Sequence, residues 1–327
     1  LEKKVGNLYW SGDARMRYTA SSLKDKKDAY DGRIRLNVKG QVNEATYVQG
    51  QFVNNMNFKD EASSNTTMAQ IYVNHNFNKN VAVRLGRQPI VFGNQGGWQY
   101  NGLEGYDGAQ ASYNNGKLSL TTGFGQLNAS DWTDDTHKDN AGNVVVDSYG
   151  VTGTDMYFAK GAYDFGFAKL GADYVKFQGD TNSTDHYFAG QELYGINLTI
   201  PVQKFNVFGE YCKNTTIGDY DTAWNAGLSY GKADWKKAGT WNLSVAYNDV
   251  DYGAYFGGGT WHNDMLKNLN NSKYIEADNL TFWTAIANVT LQKNVQLHAE
   301  YAFGADAEGT EGVDPDDSWT VSLNYKF

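Results

Sequence analysis

The chain has 327 residues, a formal net charge of -9, a pI near 5.0 and a mean hydropathy of -0.60. No apolar run approaches the ~20 residues that a membrane helix needs, which excludes helical spans. The acidic balance likewise excludes nucleic acid as a general partner, because phosphate binding needs a basic face. Aromatic residues make up 15%, with 36 Gly, 23 Tyr and only 3 Pro, a composition suited to strands and turns. A lone Cys212 cannot form an internal disulfide and reads as a small buried side chain. The start shows no basic segment followed by an apolar one, so the sequence is expected to be a mature form.

In chain order, the first element is NLYWSGDARMRYT. Leu8, Trp10, Gly12, Ala14, Met16 and Tyr18 fall on one face of a strand, and Asp13, Arg15 and Arg17 on the other. GRIRLNVKGQV repeats the pattern, with Ile34, Leu36, Val38 and Val42 opposed to Arg33, Arg35, Asn37, Lys39 and Gln41. Similar alternation recurs near 47–58, 67–77, 81–88, 105–113, 117–126, 154–163, 167–177, 191–200, 205–212, 222–230, 240–249, 280–291, 295–303 and 317–327, giving about sixteen strands. The last of these, SWTVSLNYKF, is too regular and too long to stand as an unpaired edge, so it must pair with another strand.

The links alternate in length. Short polar turns at 78–80, 114–116, 201–204 and 292–294 separate long links near 89–104, 127–153, 178–190, 250–279 and 304–316. This is an up-and-down antiparallel meander with tight turns at one end and long loops at the other. Pro89, Pro201 and Pro315 all fall in links, as ladder hydrogen bonding requires.

Sixteen strands closed into one barrel leave a lumen too wide for side chains to fill. Apolar faces turned out to lipid and polar faces turned in to water remove the difficulty, and strands of roughly ten residues tilted by about 45° cross an apolar band of about 25 Å. The final strand then pairs with the first. On the outward parity, Trp10, Phe77, Tyr113, Phe205, Tyr230, Trp241 and Phe327 lie beside short turns, whereas Tyr18, Phe58, Phe124, Tyr174, Tyr211, Phe303 and Trp319 lie beside long loops. Two aromatic girdles are expected where a membrane meets water. The expected fold is therefore all-β, a single transmembrane up-and-down antiparallel barrel over residues 1–327.

Sixteen alternating strands, short turns opposite long loops and a terminal Phe327 resemble the trimeric bacterial outer-membrane porins. VRLGRQPIVFGNQGGWQYNGLEGYDGAQASY, with Leu85–Gln88 at its start, is similar to a porin's fifth strand, third loop and sixth strand, although the PEFGG-type loop motif of enteric porins is absent. LEKKVGNLYWSGDARMRY resembles the barrel start of porins from diderm Firmicutes that carry an S-layer-homology domain. The resemblance implies a bacterial outer-membrane location, periplasmic turns, extracellular loops and a homotrimer among lipid and lipopolysaccharide. It also implies passive diffusion of small hydrophilic solutes and ions, with cell-wall attachment through a domain outside this chain. Alternatives are a substrate-selective channel or a tethering protein whose barrel is mainly an anchor.

The resemblance further implies that the link at about 89–105 folds inward and narrows the lumen, and its glycines suit tight backbone turns. Pairing of the first two strands brings Arg15, Arg17, Arg33 and Arg35 to one inner wall. Clustered guanidinium groups are tolerable beside a water-filled lumen. Lys39 and Arg84 face inward by parity. Arg87 has the opposite parity, at a cost of roughly 2–4 kcal/mol near a membrane midplane, unless a bulge at Gly86 swings it inside. The expected constriction is thus a basic wall of Arg15, Arg17, Arg33, Arg35, Lys39, Arg84 and Arg87 facing Glu104 and Asp107.

No chemistry of bond making is expected. The five histidines show no metal-ligand spacing, His298 and Glu300 share an inward face without a G-x-S-x-G nucleophile motif, and no cofactor is implied.

Overall fold

A computed structural model describes residues 3–23, 27–58, 64–93, 100–127, 132–138, 144–149, 154–178, 190–255, 261–269, 277–309 and 314–327. Sixteen strands follow the meander. They are β1 (Leu8–Thr19), β2 (Ala29–Gln41), β3 (Thr46–Asn57), β4 (Ser64–Asn76), β5 (Val81–Phe92), β6 (Tyr100–Asn114), β7 (Leu118–Leu127) and β8 (Thr154–Asp164). The second half comprises β9 (Lys169–Phe177), β10 (Glu192–Val202), β11 (Phe205–Asn214), β12 (Thr222–Gly231), β13 (Trp241–Asp251), β14 (Asn279–Gln292), β15 (Val295–Glu308) and β16 (Ser318–Lys326). Each pairs antiparallel with its neighbours in sequence, and β16 pairs with β1 from Thr320↔Thr19 to Lys326↔Asp13. Among the described residues the sixteen-strand wall has no open edge, which answers the aggregation hazard of a long terminal strand.

The seam is locked at the chain end. Gly12 N–H donates to the Phe327 carbonyl at 2.8 Å, and Phe327 N–H donates to the Gly12 carbonyl at 3.0 Å. A Cβ on Gly12 would lie 2.5 Å from the Phe327 ring, so the glycine is what lets the terminal aromatic lie flat over β1.

Short turns are closed by asparagine side chains standing in for backbone. Asn78 Oδ1 accepts from the N–H groups of Asn80 and Val81, and Asn115 Oδ1 from those of Lys117 and Leu118, the Asx-turn chemistry expected of such residues. Gly116 takes φ +92° in one of them, where glycine bears no steric cost.

The polarity is inverted. Leu, Ile, Val, Met and aromatic side chains form an exposed band around the outside, including Met16, Ile34, Ile71, Leu85, Ile196, Leu228 and Val245. A band of this extent is far larger than water-facing surfaces carry. At the long-loop end it is bounded by aromatic groups whose polar tips are held by outward carboxylates. Tyr174 and Tyr194 hydroxyls donate to Glu192 at 2.7 and 2.9 Å, and Trp224 Nε1 to Asp249 at 3.2 Å. Tyr18 and Tyr301 donate likewise to Asp28 and Asp317. At the other end Phe205, Tyr230 and Trp241 pack ring against ring at 4.8 and 5.6 Å. Both expected girdles are present.

Buried apolar residues form two clusters on the inner wall, each under a segment that leaves the wall. The first is the upper part of the β5–β6 hairpin. The sequence places these strand ends at 88 and 105, but the ladder runs on to Phe92↔Tyr100 after a register shift between Gln88 and Ile90. Pro89 supplies no donor there, and Gly105 at φ +55° faces the Gln88 carbonyl at a distance no Cβ could accept. The second is the β13–β14 link, with short 3-10 turns at Tyr252–Ala254 and Met265–Asn268. Two small elements have no counterpart in the sequence reading: Lys3–Val5, which pairs back on β1, and a hairpin of Trp132–Lys138 with Val144–Tyr149.

Candidate functional site

The inner wall at β1 and β2 carries a charge ladder. Its register pairs Asp13↔Arg35, Arg15↔Arg33 and Arg17↔Asp31, all on the parity opposite to the exposed Met16 and Ile34. Two like charges directly opposite each other destabilise a sheet, and here aspartates above and below relieve the Arg15/Arg33 pair. Arg17 Nε lies 2.8 Å from Asp31 and Arg35 Nε 2.8 Å from Asp13, while Arg15 and Arg33 reach diagonally to the same carboxylates at 3.4 and 3.5 Å. The four arginines therefore do share one wall. It is not the wholly basic wall expected from the arginines, because Asp13 and Asp31, on the same parity, are interleaved. Asp31 shares the parity of Arg33 and Arg35 in YDGRIRL, so the signal was in the sequence; only the register, which sets Arg17 opposite it, was not.

The remaining predicted residues disperse. Lys39 sits toward the short-turn end with its Nζ 4.4 Å from the Tyr47 ring, four residues down β2 from Arg35 and some 13 Å along the strand. Arg84 donates to Asn74 Oδ1 at 3.1 Å and stacks 4.9 Å from the Tyr72 ring, three strands from the ladder. Arg87 forms a bidentate pair with Asp107, 2.8 and 2.7 Å. That pair lies on the outer surface. The register runs unbroken from Arg84↔Gln110 to Gln88↔Tyr106, so no bulge forms at Gly86. Arg87 keeps the parity of Leu85 and faces Ile71 on β4, which are 55% and 51% exposed. Mutual charge neutralisation, two register positions beyond the level of Phe124 on β7, is how the barrel accommodates an outward arginine. Glu104 falls within β6, but its side chain lies outside the described residues, as do residues 94–99 at the tip of the expected inward loop.

The rest of that loop turns into the lumen. Phe92 packs edge-on against Phe158 at 5.5 Å, and Tyr106 against the same ring at 5.3 Å, within an apolar cluster shared by β5, β6, β7, β8, β9 and β10. Polar ties fix the hairpin across the wall. Lys160 Nζ on β8 donates to the Val91 carbonyl at 2.8 Å, and Gly93 N–H donates to Asp173 Oδ2 on β9 at 3.1 Å. A Cβ at Gly93 would meet Glu210 of β11 at 2.0 Å. Lys160, Asp173 and Glu210 have inward parity but no local motif, so the sequence gives no sign that a distant hairpin would select them.

The β13–β14 link covers a different sector. Asp264 is buried and accepts from Ser21 Oγ at 3.0 Å, Ser22 N–H and Oγ at 2.9 Å each, and Ser318 Oγ at 3.2 Å. It thereby pins the link to the long-loop ends of β1 and β16. Beside it, Glu300 on β15 accepts from the N–H groups of His262 and Asn263. Burial holds the His262 imidazole below its ordinary value, outweighing the neighbouring carboxylate, although 36% of the side chain still meets the lumen. Replacing Asp264 by Ala strands three buried or half-buried donors, Ser21 Oγ and the Ser22 N–H and Oγ, while Ser318 Oγ keeps the Ala20 carbonyl at 2.9 Å, at about 1–3 kcal/mol for each group left unpaired. We expect the link to detach in Asp264→Ala, seen as protease cleavage within 256–276 of a barrel that remains closed.

No protein-family model matches the sequence, and none of the curated proteins is similar to it. Solved structures are. OprB of Pseudomonas putida in a high-pH form matches with a TM-score of 0.65 at 9% identity, over 98% of this chain and 94% of that one. Variants of the Rhodopseudomonas blastica porin match with a TM-score of 0.61 at 11% identity, over 98% of this chain and 100% of theirs. The likeness extends around the whole barrel, and at such identities it is a likeness of fold.

Proposed function

We propose that the chain is an outer-membrane porin, a water-filled channel for passive diffusion of small hydrophilic solutes and ions across the outer membrane of a diderm bacterium. One observation carries this reading. The barrel is closed and inverted, with an apolar belt between two aromatic girdles outside and Arg15, Arg17, Arg33, Arg35, Asp13 and Asp31 lining the inside. Only hydrocarbon around the wall and water within it satisfy both faces at once. The β5–β6 hairpin and the β13–β14 link reduce the free cross-section from two sides, and the charge ladder stands where solutes must pass. A narrowed, charged passage biases which ions and polar molecules cross. No covalent step is required, so the chain acts as a conduit rather than as an enzyme.

The solved porins support this reading through their fold. The finer reading is a homotrimer in contact with lipid and lipopolysaccharide, tethered to the cell wall through a domain outside this chain. The homotrimer rests on the resemblance of the whole strand and loop pattern to trimeric porins, and the tether on the resemblance at the start of the chain. Reconstitution into planar bilayers tests the channel and the trimer, and co-sedimentation of the full-length protein with purified cell-wall polymer tests the tether. Stepwise ohmic conductance with steps grouped in threes is the expected result; electrically silent bilayers would sink the channel, and ungrouped single steps would sink the trimer alone.

A further inference from the structure

Glu300 is 1% exposed at its side chain, and its two oxygens have different surroundings. Oε2 accepts from His262 N–H at 2.8 Å, Asn263 N–H at 3.1 Å and Asn263 Nδ2 at 3.0 Å. Oε1 instead faces two imidazole nitrogens, His298 Nε2 at 2.7 Å and His262 Nδ1 at 3.1 Å, which are 3.3 Å from each other. One histidine comes from β15 and the other from the inward link, 36 residues apart in sequence.

The tautomer decides what this triangle is for. His298 Nδ1 lies 2.6 Å from Asn288 Oδ1 on β14, and in the neutral tautomer whose Nδ1–H donates to that oxygen, Nε2 turns a lone pair toward the carboxylate. That lone pair and a carboxylate oxygen at 2.7 Å repel unless a proton or a metal ion lies between them, and the second imidazole nitrogen close to both suits the metal. We propose that His262 Nδ1, His298 Nε2 and Glu300 Oε1 bind one divalent transition-metal ion of the zinc class, clasping the β13–β14 link to the barrel wall. Zinc–ligand bonds of about 2.0–2.2 Å in a tetrahedron place ligand atoms roughly 3.3 Å apart; the edge between the imidazoles already has that length, and the His298–Glu300 edge of 2.7 Å opens by about 0.6 Å to reach it. Two imidazoles favour zinc-like ions over calcium or magnesium, which take oxygen ligands. The fourth position opens on the lumen beside His262 and takes water. Asn288 holds the His298 ring in its ligating orientation, as carbonyl or carboxylate partners of metal-bound histidines do. The site does not depend on the channel reading, since it would bind metal in a barrel that conducts nothing.

The test uses the whole chain without a histidine tag, purified in detergent, stripped with chelator and titrated with Co²⁺ while visible ligand-field absorption is recorded. Zn²⁺ displacement and elemental analysis give affinity and stoichiometry. The expected result is one ion per chain with an intense tetrahedral-type spectrum. His262→Ala and His298→Ala should each weaken binding more than tenfold, Asn288→Leu about 10–100-fold, and His75→Ala not at all. His262→Ala alters only a link residue, and intact heat-modifiable migration verifies its barrel; His262→Gln serves in its place if that migration is lost. Absence of stoichiometric uptake, or uptake by the His262 and His298 variants equal to that of the unaltered chain, would overturn the proposal and leave the triangle as a shared-proton cluster.

Discussion

Glutamine at positions 15, 17, 33 and 35 together should turn the pore toward cations. The substitution removes four positive charges and leaves Asp13 and Asp31 on the same wall, now without their partners. At a separation of about 4 Å in water one unit charge is worth about 1 kcal/mol to a passing ion, roughly a fivefold change in relative occupancy. The four arginines are not independent, because each aspartate contacts two of them. The combined effect therefore falls well short of a fourfold sum. Reversal potential under a salt gradient reads it directly, and Asp13→Asn with Asp31→Asn should move the potential in the opposite direction. An ion preference unchanged in both variants would remove the ladder from control of permeation. Higher ionic strength should shrink both shifts, since screening over about 8–10 Å reaches across such a wall.

The second large effect concerns the outer face. Val245 lies between Trp241 and Tyr247 on β13, and its cross-strand partners are Leu228 on β12 and Ala285 on β14. This is near the middle of the apolar band. Val245→Arg places a charge in hydrocarbon and should lower unfolding free energy in lipid by about 2–4 kcal/mol. Ser244→Arg, one residue away, points into the lumen and should change stability by under about 1 kcal/mol. Denaturant unfolding from lipid vesicles separates them. Equal losses at the two positions would mean that the two faces of β13 meet the same medium, and the membrane-spanning orientation would fail. Arg87 is the natural counter-example: its charge is tolerated on the outer face because Asp107 is bonded to it at both nitrogens.

The fold was legible because its evidence is local and repeated. A two-residue period in side-chain polarity, sustained through SWTVSLNYKF and fifteen similar stretches, sets which face of every strand is apolar without reference to any distant residue. Link lengths then order the strands, and closure follows from the need to pair the last with the first. Parity also placed Arg15, Arg17, Arg33 and Arg35 on the inside. It failed where the backbone departs from a regular strand. The β5–β6 ladder continues beyond Gln88 through a register shift. At Arg87 parity held, because the strand around Gly86 remains in register and the bulge expected to swing the side chain inward does not form.

What the sequence determined by itself is thus the alternating meander and its closure: alternation is a property of consecutive residues, and sixteen such strands enclose too wide a space for their apolar faces to fill. What tertiary structure alone decided is which residues meet across the lumen. Asp31 reaches Arg17 through a register fixed by the whole β1–β2 pair. Lys160 and Asp173 receive a hairpin from β5 and β6, and His262 joins His298 and Glu300 from a link with no periodic pattern. Such meetings depend on how a closed wall brings distant segments within a few ångströms, and no period along the chain encodes them.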